Sequence, residues 1–178
     1  MLDVAEEVFA EQGYHGVSME VIAERCGVSK PMLYEYFGSK DGLMRAAIVR
    51  ARGELQEATS AAMAEAVVPH DVLRLGMLAY FAFMDAHGRS MSMLMQEPLL
   101  GDDIEATRRQ QGDLIAPILA AIAPGAPPLT VAAYTEIIVG ACERLALWRM
   151  RHPSVSAEEA ARYMTDFAWS GLRVYIEP

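Results

Sequence analysis

Three serines within residues 18–43 carry the side-chain chemistry that is most informative in this chain. Ser18, Ser29 and Ser39 each precede a segment with helical spacing, so each hydroxyl can accept a hydrogen bond from an orphan backbone N–H at a helix start. Helix starts also present a partial positive charge, which favours an anionic partner. Lys30 and Lys40 directly follow two of these serines and add two full positive charges.

Two short helices joined by a tight turn must position these groups. Gly27 lies between the helices and can adopt a positive φ without steric cost. Ile22 and Ala23 give the first helix an inward face, and Leu33 is expected in the core of the second, as is Phe37. A short helix, a glycine turn and a second short helix are typical of a helix-turn-helix. The turn pattern alone leaves open a helical corner in an all-α protein without a nucleic-acid role.

The stretch FAEQGYHGVSMEVIAERCGVSKPMLYEYFGSKDGLMRAAI resembles the DNA-binding domain of TetR-family transcriptional regulators. The elements IA, GVSK, LY, YF and SK occur in that family's order and spacing. The resemblance covers residues 2–47, and it implies that the chain binds double-stranded DNA through this segment. The residues expected to contact DNA are Ser18, Ser29, Lys30, Met32, Tyr34, Tyr36 and Lys40.

The resemblance also implies that some of these residues contact phosphates and others contact bases. Tyr34 and Lys40 would hold phosphates, which fixes the register of the protein on the duplex. Met32 and Tyr36 would face bases and can touch thymine methyl groups, whereas Lys30 can reach guanine acceptors. Glu35 departs from the family pattern, where a neutral or basic residue is more common. It can accept a hydrogen bond from a cytosine amino group or turn to solvent, and we expect the second.

The acidic charge of the chain argues against strong DNA binding. The formal net charge is −9, and residues 1–50 hold five basic against eight acidic side chains, a net charge of −3. Non-specific affinity grows with the number of phosphates neutralised, so we expect weak binding to random DNA. Most of these acids precede the helix-turn-helix or lie on its first helix, which need not face the groove.

Composition indicates a soluble, cytoplasmic protein. The 178 residues are enough for one large or two small domains with a substantial core. No apolar run approaches the ~20 residues that span a bilayer, and the N-terminus lacks a signal-peptide pattern. Cys26 and Cys142 are far apart in sequence, so neither a disulfide framework nor a zinc site is expected. We expect no metal and no cofactor.

The whole chain is expected to be all-α, with about nine helices in two domains. Residues 1–47 form the DNA-binding domain, and residues 48–178 form a helical domain for effector binding and dimerisation. After the reading helices, segments with helical spacing cover residues 41–67, 71–87, 90–96, 102–123, 129–151 and 156–175. Pro69 and Gly88 are interpreted as helix stops, and Ser156 with Glu159 as a capping box.

The last two segments carry more apolar side chains than one narrow stripe would need. They are either buried in the core of the monomer or paired with a second copy. The resemblance favours pairing, because TetR-like proteins dimerise through their last two long helices. The residues expected at this interface are Leu145, Trp148, Tyr163, Phe167 and Gly171. A two-fold dimer would read a palindromic operator with half-sites about 34 Å apart.

A methionine-rich and aromatic segment in the middle of the chain is the candidate effector site. Flexible, polarizable methionine can line a pocket for apolar ligands, although the same stripe is also typical of ordinary core. The expected ligand-binding residues are Met77, Tyr80, Phe81, Met84, Met91 and Met95. By resemblance, a small and largely apolar molecule would bind there and move the helix over residues 41–67. That movement would release a repressor from its operator.

Catalytic signals are absent from the sequence. It has no glycine-rich phosphate loop, no HExxH motif and no Cys–His cluster, and its four histidines lie near expected helix ends or loops. An α-helical small-molecule-binding or catalytic protein without DNA binding is the alternative, and the sequence offers little for it. We therefore expect a transcriptional regulator and not an enzyme.

Overall fold

The computed structural model describes the backbone of residues 1–96 and 101–176, and the side chains of these residues except 89–96, 101–104 and 107. The chain forms two compact units. One contains Met1–Gln56 and the described residues from His87 to the end of the fifth helix. The other contains Glu57–Ala86 and the described residues from Gly101 onward.

The first unit begins with three short helices. They are α1 (Leu2–Gln12), α2 (Met19–Cys26) and α3 (Lys30–Phe37), and α4 (Lys40–Ala64) follows, with its residues up to Gln56 in this unit. An eight-residue helix such as α3 is too short to persist alone in water. It is held by Leu33, which is fully buried, as are Phe9, Ile22, Leu43 and Met44. Burial of one such side chain stabilises by roughly 1.5–3 kcal/mol. Phe37 is only half-buried.

Two glycines allow the tight connections in this unit. Gly27 ends α2 with φ 67° in the left-handed region, and its N–H reaches the carbonyls of Ala23 and Glu24, as the sequence predicts. Gly42 lies in the first turn of α4, where an added Cβ would clash with the carbonyl oxygen of Phe37. The close approach of the α3–α4 connection therefore requires glycine at position 42.

The second unit is also helical. It contains the first part of α5 (Pro69–Gln96), then α6 (Gly101–Ile122), α7 (Pro128–Arg149), α8 (Ala157–Leu172) and a 3₁₀ turn (Arg173–Tyr175). Helix α6 packs on α7, and α7 packs on α8. The predicted capping box is confirmed: Ser156 and Glu159 exchange two hydrogen bonds of 3.1 Å, each between a backbone N–H and a side-chain oxygen.

The all-α class is confirmed, with one difference in the helix count. The described residues form eight α-helices and the 3₁₀ turn, because segments 71–87 and 90–96 belong to one continuous helix. The predicted stop at Gly88 is wrong. A glycine inside a helix costs about 1 kcal/mol relative to alanine, which flanking helix-forming residues can absorb. Pro69 begins α5 instead of ending α4. No described helix is long and apolar enough to cross a membrane.

Candidate nucleic-acid interface and effector site

Helix α3 exposes side chains that the sequence analysis assigned to DNA. Met32 is 41%, Tyr34 42% and Tyr36 68% exposed, whereas Leu33 between them is fully buried. Lys30 lies at the start of the same helix, with its ammonium 5.7 Å from the centre of the Tyr34 ring. Large apolar side chains held in water by a rigid helix are typical of a contact surface. Lys30 and Tyr34, four residues apart, share one side of α3, and Met32 and Tyr36 share another.

The three serine caps predicted from the sequence are all formed. The hydroxyl of Ser18 accepts from the N–H of Val21 at 3.3 Å, and that of Ser29 accepts from Met32 at 3.4 Å. Ser39 accepts from Gly42 at 2.9 Å. Each cap satisfies one backbone N–H of the first turn and so fixes the helix start.

Lys40 is oriented toward the interior of the first unit. Its Nζ donates to the carbonyl oxygens of Tyr14 at 2.8 Å and Val17 at 2.9 Å, and it lies 4.3 Å from the centre of the Tyr14 ring. The Tyr14 hydroxyl donates in turn to Asp41. Lys40 therefore holds the connection between α1 and α2 in place, immediately before the α2 start at Ser18. Two of its three N–H groups are engaged there.

Lys30 has an intramolecular partner that the sequence analysis missed. Its ammonium forms an ion pair with the Glu20 carboxylate on α2. The hydrogen bond from Lys30 lowers the pKa of the Glu20 carboxyl below its ordinary value, and Glu20 raises the pKa of Lys30. The sequence shows Glu20 as a carboxylate two residues after the Ser18 cap, but it does not show that this carboxylate pairs with Lys30. Its partner lies ten residues away on another helix, so helical spacing could not indicate the pair.

Three of the four acids on α1 form ion pairs with arginines of other helices. Arg50 on α4 forms ion pairs with Asp3 at 2.5 Å and with Glu6 at 2.8 Å. Arg25 on α2 forms an ion pair with Glu11. Both arginines are already counted in the net charge of −3 over residues 1–50, so these ion pairs leave that charge unchanged. Glu35 is exposed between Tyr34 and Tyr36.

Comparison with known proteins matches both parts of this architecture. Residues 1–47 match the family model described as "Bacterial regulatory proteins, tetR family". A solved TetR-like transcriptional regulator from Rhodococcus sp. RHA1 is 31% identical, with 97% of this chain and 93% of that chain covered and a TM-score of 0.75. The chain belongs to the TetR family of transcriptional regulators.

Two more distant relatives show the same full-length correspondence. The transcriptional activator FasR of Mycolicibacterium smegmatis is 24% identical over 97% of this chain and 81% of its own length. The regulator FadR of Bacillus subtilis, solved in complex with stearoyl-CoA, has a TM-score of 0.84 at 20% identity, with 96% of both chains covered. This TetR-family chain is therefore a DNA-binding transcriptional regulator.

Four of the six residues predicted to bind an effector lie together on α5 in the second unit. Met77, Phe81 and Met84 are buried, and the Met77 Sδ accepts from the Cys142 thiol at 3.4 Å. Burial raises the pKa of Tyr80 well above its ordinary value, with Cys142 and Glu143 adding to the shift. No described residue forms a hydrogen bond with the Tyr80 hydroxyl. The side chains of Met91 and Met95 lie outside the described residues.

Polar groups occur beside this stripe. Glu143 on α7 accepts from Arg108 on α6 at 2.8 and 3.0 Å, so its partner is in the same chain. Burial, with Glu143 nearby, raises the pKa of the Cys142 thiol to about 12.

The second unit also contains an apolar groove of about 470 Å³ that the sequence did not predict. It is lined by residues 66–69, Val72, Pro117, Ile118, Ala121 and Ile122.

The predicted dimer residues divide between surface and interior. Phe167 is 59% and Tyr163 43% exposed on α8, whereas Leu145 and Trp148 on α7 are half-buried. Gly171 approaches the Tyr134 ring closely. Phe167 and Gly171 border an open groove of about 540 Å³ between α7 and α8, with Tyr134, Ile137, Ile138, Asp166, Ala168, Ser170 and Leu172 as its other lining residues. Ile137 adds a further exposed apolar side chain at 46%.

Proposed function

We propose that this TetR-family regulator is a homodimeric repressor that leaves a palindromic operator when a small, largely apolar molecule binds. The observation that carries the DNA-binding part is the exposure of Met32, Tyr34 and Tyr36 on α3, a helix whose start is capped by Ser29. We assign base contacts to Met32 and Tyr36. Phosphate contacts are assigned to Tyr34, Ser18, Ser29 and Lys30.

Lys40 has a modified role in this proposal. Because two of its N–H groups bind the carbonyls of Tyr14 and Val17, it acts first by fixing the α2 start that faces a phosphate. Its charge and remaining N–H then add to the positive potential at that start. This role differs from a free phosphate clamp, since it makes Lys40 part of the folded unit.

The α8 face supports the dimer. Phe167 and Tyr163 expose large aromatic surfaces next to an apolar groove, and a monomer would leave these surfaces in water. A second copy of the same face would cover them in an isologous contact. A two-fold dimer would read a palindrome with half-sites about one turn of B-DNA apart, roughly 34 Å.

The α5 stripe supports an apolar effector. It combines buried methionines and Phe81 with the half-buried Tyr80, whose hydroxyl can bind a polar group of a ligand. FadR of B. subtilis was solved with stearoyl-CoA, so a long-chain acyl-CoA is the first effector to test here. Helix α4 contributes residues to both units and can link effector binding to the DNA-binding unit.

The experiment is a binding assay with the duplex DNA that flanks the gene for this chain. Fluorescence anisotropy should show tight, salt-sensitive binding to a palindromic segment, and stearoyl-CoA should weaken it. A coupling of ~1–3 kcal/mol, about 5- to 150-fold in affinity, is typical of such switches. Tyr36→Ala should reduce binding to the palindrome more than to random DNA. If acyl-CoA binds without any change in DNA affinity, the effector part of the proposal is wrong.

A further inference from the structure

The two lysines of the DNA-binding unit are the only lysines in the whole chain. Lys40 donates to backbone carbonyls of its own unit, which leaves Lys30 as the lysine that can extend from α3 to an external anion. In the free protein, however, Lys30 is held by Glu20. The pair is at the surface, with the Lys30 side chain 43% and the Glu20 side chain 59% exposed, so DNA can reach both groups.

Glu20 lies in the first turn of α2, two residues after the Ser18 cap. Its carboxylate accepts a hydrogen bond from the Lys30 ammonium, which is the main cause that lowers the pKa of the Glu20 carboxyl. An ammonium beside a helix start is suited to an oxyanion. A DNA phosphate needs the same donors, and two anions at one site repel each other.

We propose that Glu20 is an internal competitor for DNA phosphate, which limits the affinity of this regulator for DNA of any sequence. Lys30 must leave Glu20 before it can neutralise a phosphate, and Glu20 remains nearby as a repelling charge. Non-specific binding depends almost wholly on phosphate neutralisation, so it loses most of its driving force at this position. In the operator complex, base contacts from α3 supply additional affinity. The proposal rests on DNA binding through the Ser18–Lys30 surface.

The test uses a labelled 20-base-pair duplex of random sequence and the full-length chain. Glu20→Gln keeps the shape of the side chain and removes its charge. An exposed ion pair restrains its partners only modestly, so we expect affinity to rise roughly two- to fivefold per reading unit. If Lys30 then gains a phosphate, the slope of log K against log[salt] steepens by about 0.9 per unit. Glu20→Ala should give the same gain without any acceptor at this position.

Two controls separate competition from a general charge effect. Glu24→Gln removes an exposed carboxylate from the same helix, and Glu24 has no described ion pair. It should change the salt slope much less. Lys30→Met should weaken random-DNA binding only slightly in the wild-type chain, but it should abolish the gain in the Glu20→Gln background. Circular dichroism establishes that each variant is folded.

The competing outcomes are distinct. Equal gains from Glu20→Gln and Glu24→Gln, or a gain that survives Lys30→Met, would overturn the competition by Glu20. Weaker binding by Glu20→Gln would mean that Glu20 contacts DNA directly, which also overturns it. If neither the wild type nor Glu20→Gln bound duplex DNA even at low salt, both this proposal and the assigned DNA surface would be wrong.

Discussion

Replacing Lys40 by methionine removes a charged group that the structure uses to hold the α1–α2 connection. Its Nζ donates to the Tyr14 carbonyl at 2.8 Å and the Val17 carbonyl at 2.9 Å, and it lies 4.3 Å from the centre of the Tyr14 ring. Methionine preserves most of the aliphatic stem, which isolates the loss of the ammonium. We expect the variant to fold with lower stability and a less ordered α2 start.

The magnitude follows from these contacts. A hydrogen bond from a charged donor contributes roughly 1.5–3 kcal/mol, and the cation–π contact roughly 0.5–1 kcal/mol. The site is only partly buried, so water can reach the two carbonyls in the variant and replace part of the loss. The two hydrogen bonds and the cation–π contact sum to roughly 3.5–7 kcal/mol. Because water replaces part of this, we expect the free energy of unfolding to fall by about 2 kcal/mol, below that sum.

Urea denaturation followed by far-ultraviolet circular dichroism measures this change. The matched control is Lys30→Met, which removes the other lysine of the unit from an exposed ion pair and should scarcely shift the denaturation midpoint. DNA binding by Lys40→Met should fall as well, because the Ser18 helix start is less well positioned. An unchanged midpoint combined with lost DNA affinity would refute this reasoning and make Lys40 a simple phosphate contact.

Two further predictions concern the second unit. Phe167→Asp places a charge in the exposed α8 face and should convert the dimer to monomer in analytical ultracentrifugation, whereas Val67→Asp, at a residue 93% exposed elsewhere, should not. A monomeric wild type, or a Phe167→Asp variant that remains dimeric, would contradict the assigned interface. At pH 8 a thiol reagent should modify Cys26 in the native protein and Cys142 only after unfolding, because burial raises the pKa of Cys142 to about 12. The folded state binds the proton of the Cys142 thiol more tightly than the unfolded state does. The free energy of unfolding should therefore be independent of this thiol below pH 9 and fall as the pH rises from 9 toward 12. Rapid modification of both thiols in the native protein would argue against it.

Features that depend on neighbours a few residues away were predictable from the sequence. The caps at Ser18, Ser29 and Ser39 join groups three residues apart, and the Ser156–Glu159 capping box does the same. The turn at Gly27 depends on one residue's freedom to adopt a positive φ. The all-α class and the buried position of Leu33 followed from helical periodicity, because 3.6 residues per turn fixes which side chains share a face.

Interactions between distant segments were not predictable in this way. Lys30 was expected to be free for DNA and is paired with Glu20, and Lys40 was expected at the surface and is turned toward Tyr14 and Val17. Helix α5 passes through Gly88 because a glycine does not end a helix unless the chain turns there. Sequence spacing defined the helix starts of this regulator and the family to which it belongs. The free or engaged state of its two lysines depended on a carboxylate and two backbone carbonyls 10 to 26 residues away, which only the tertiary structure brings within hydrogen-bonding distance.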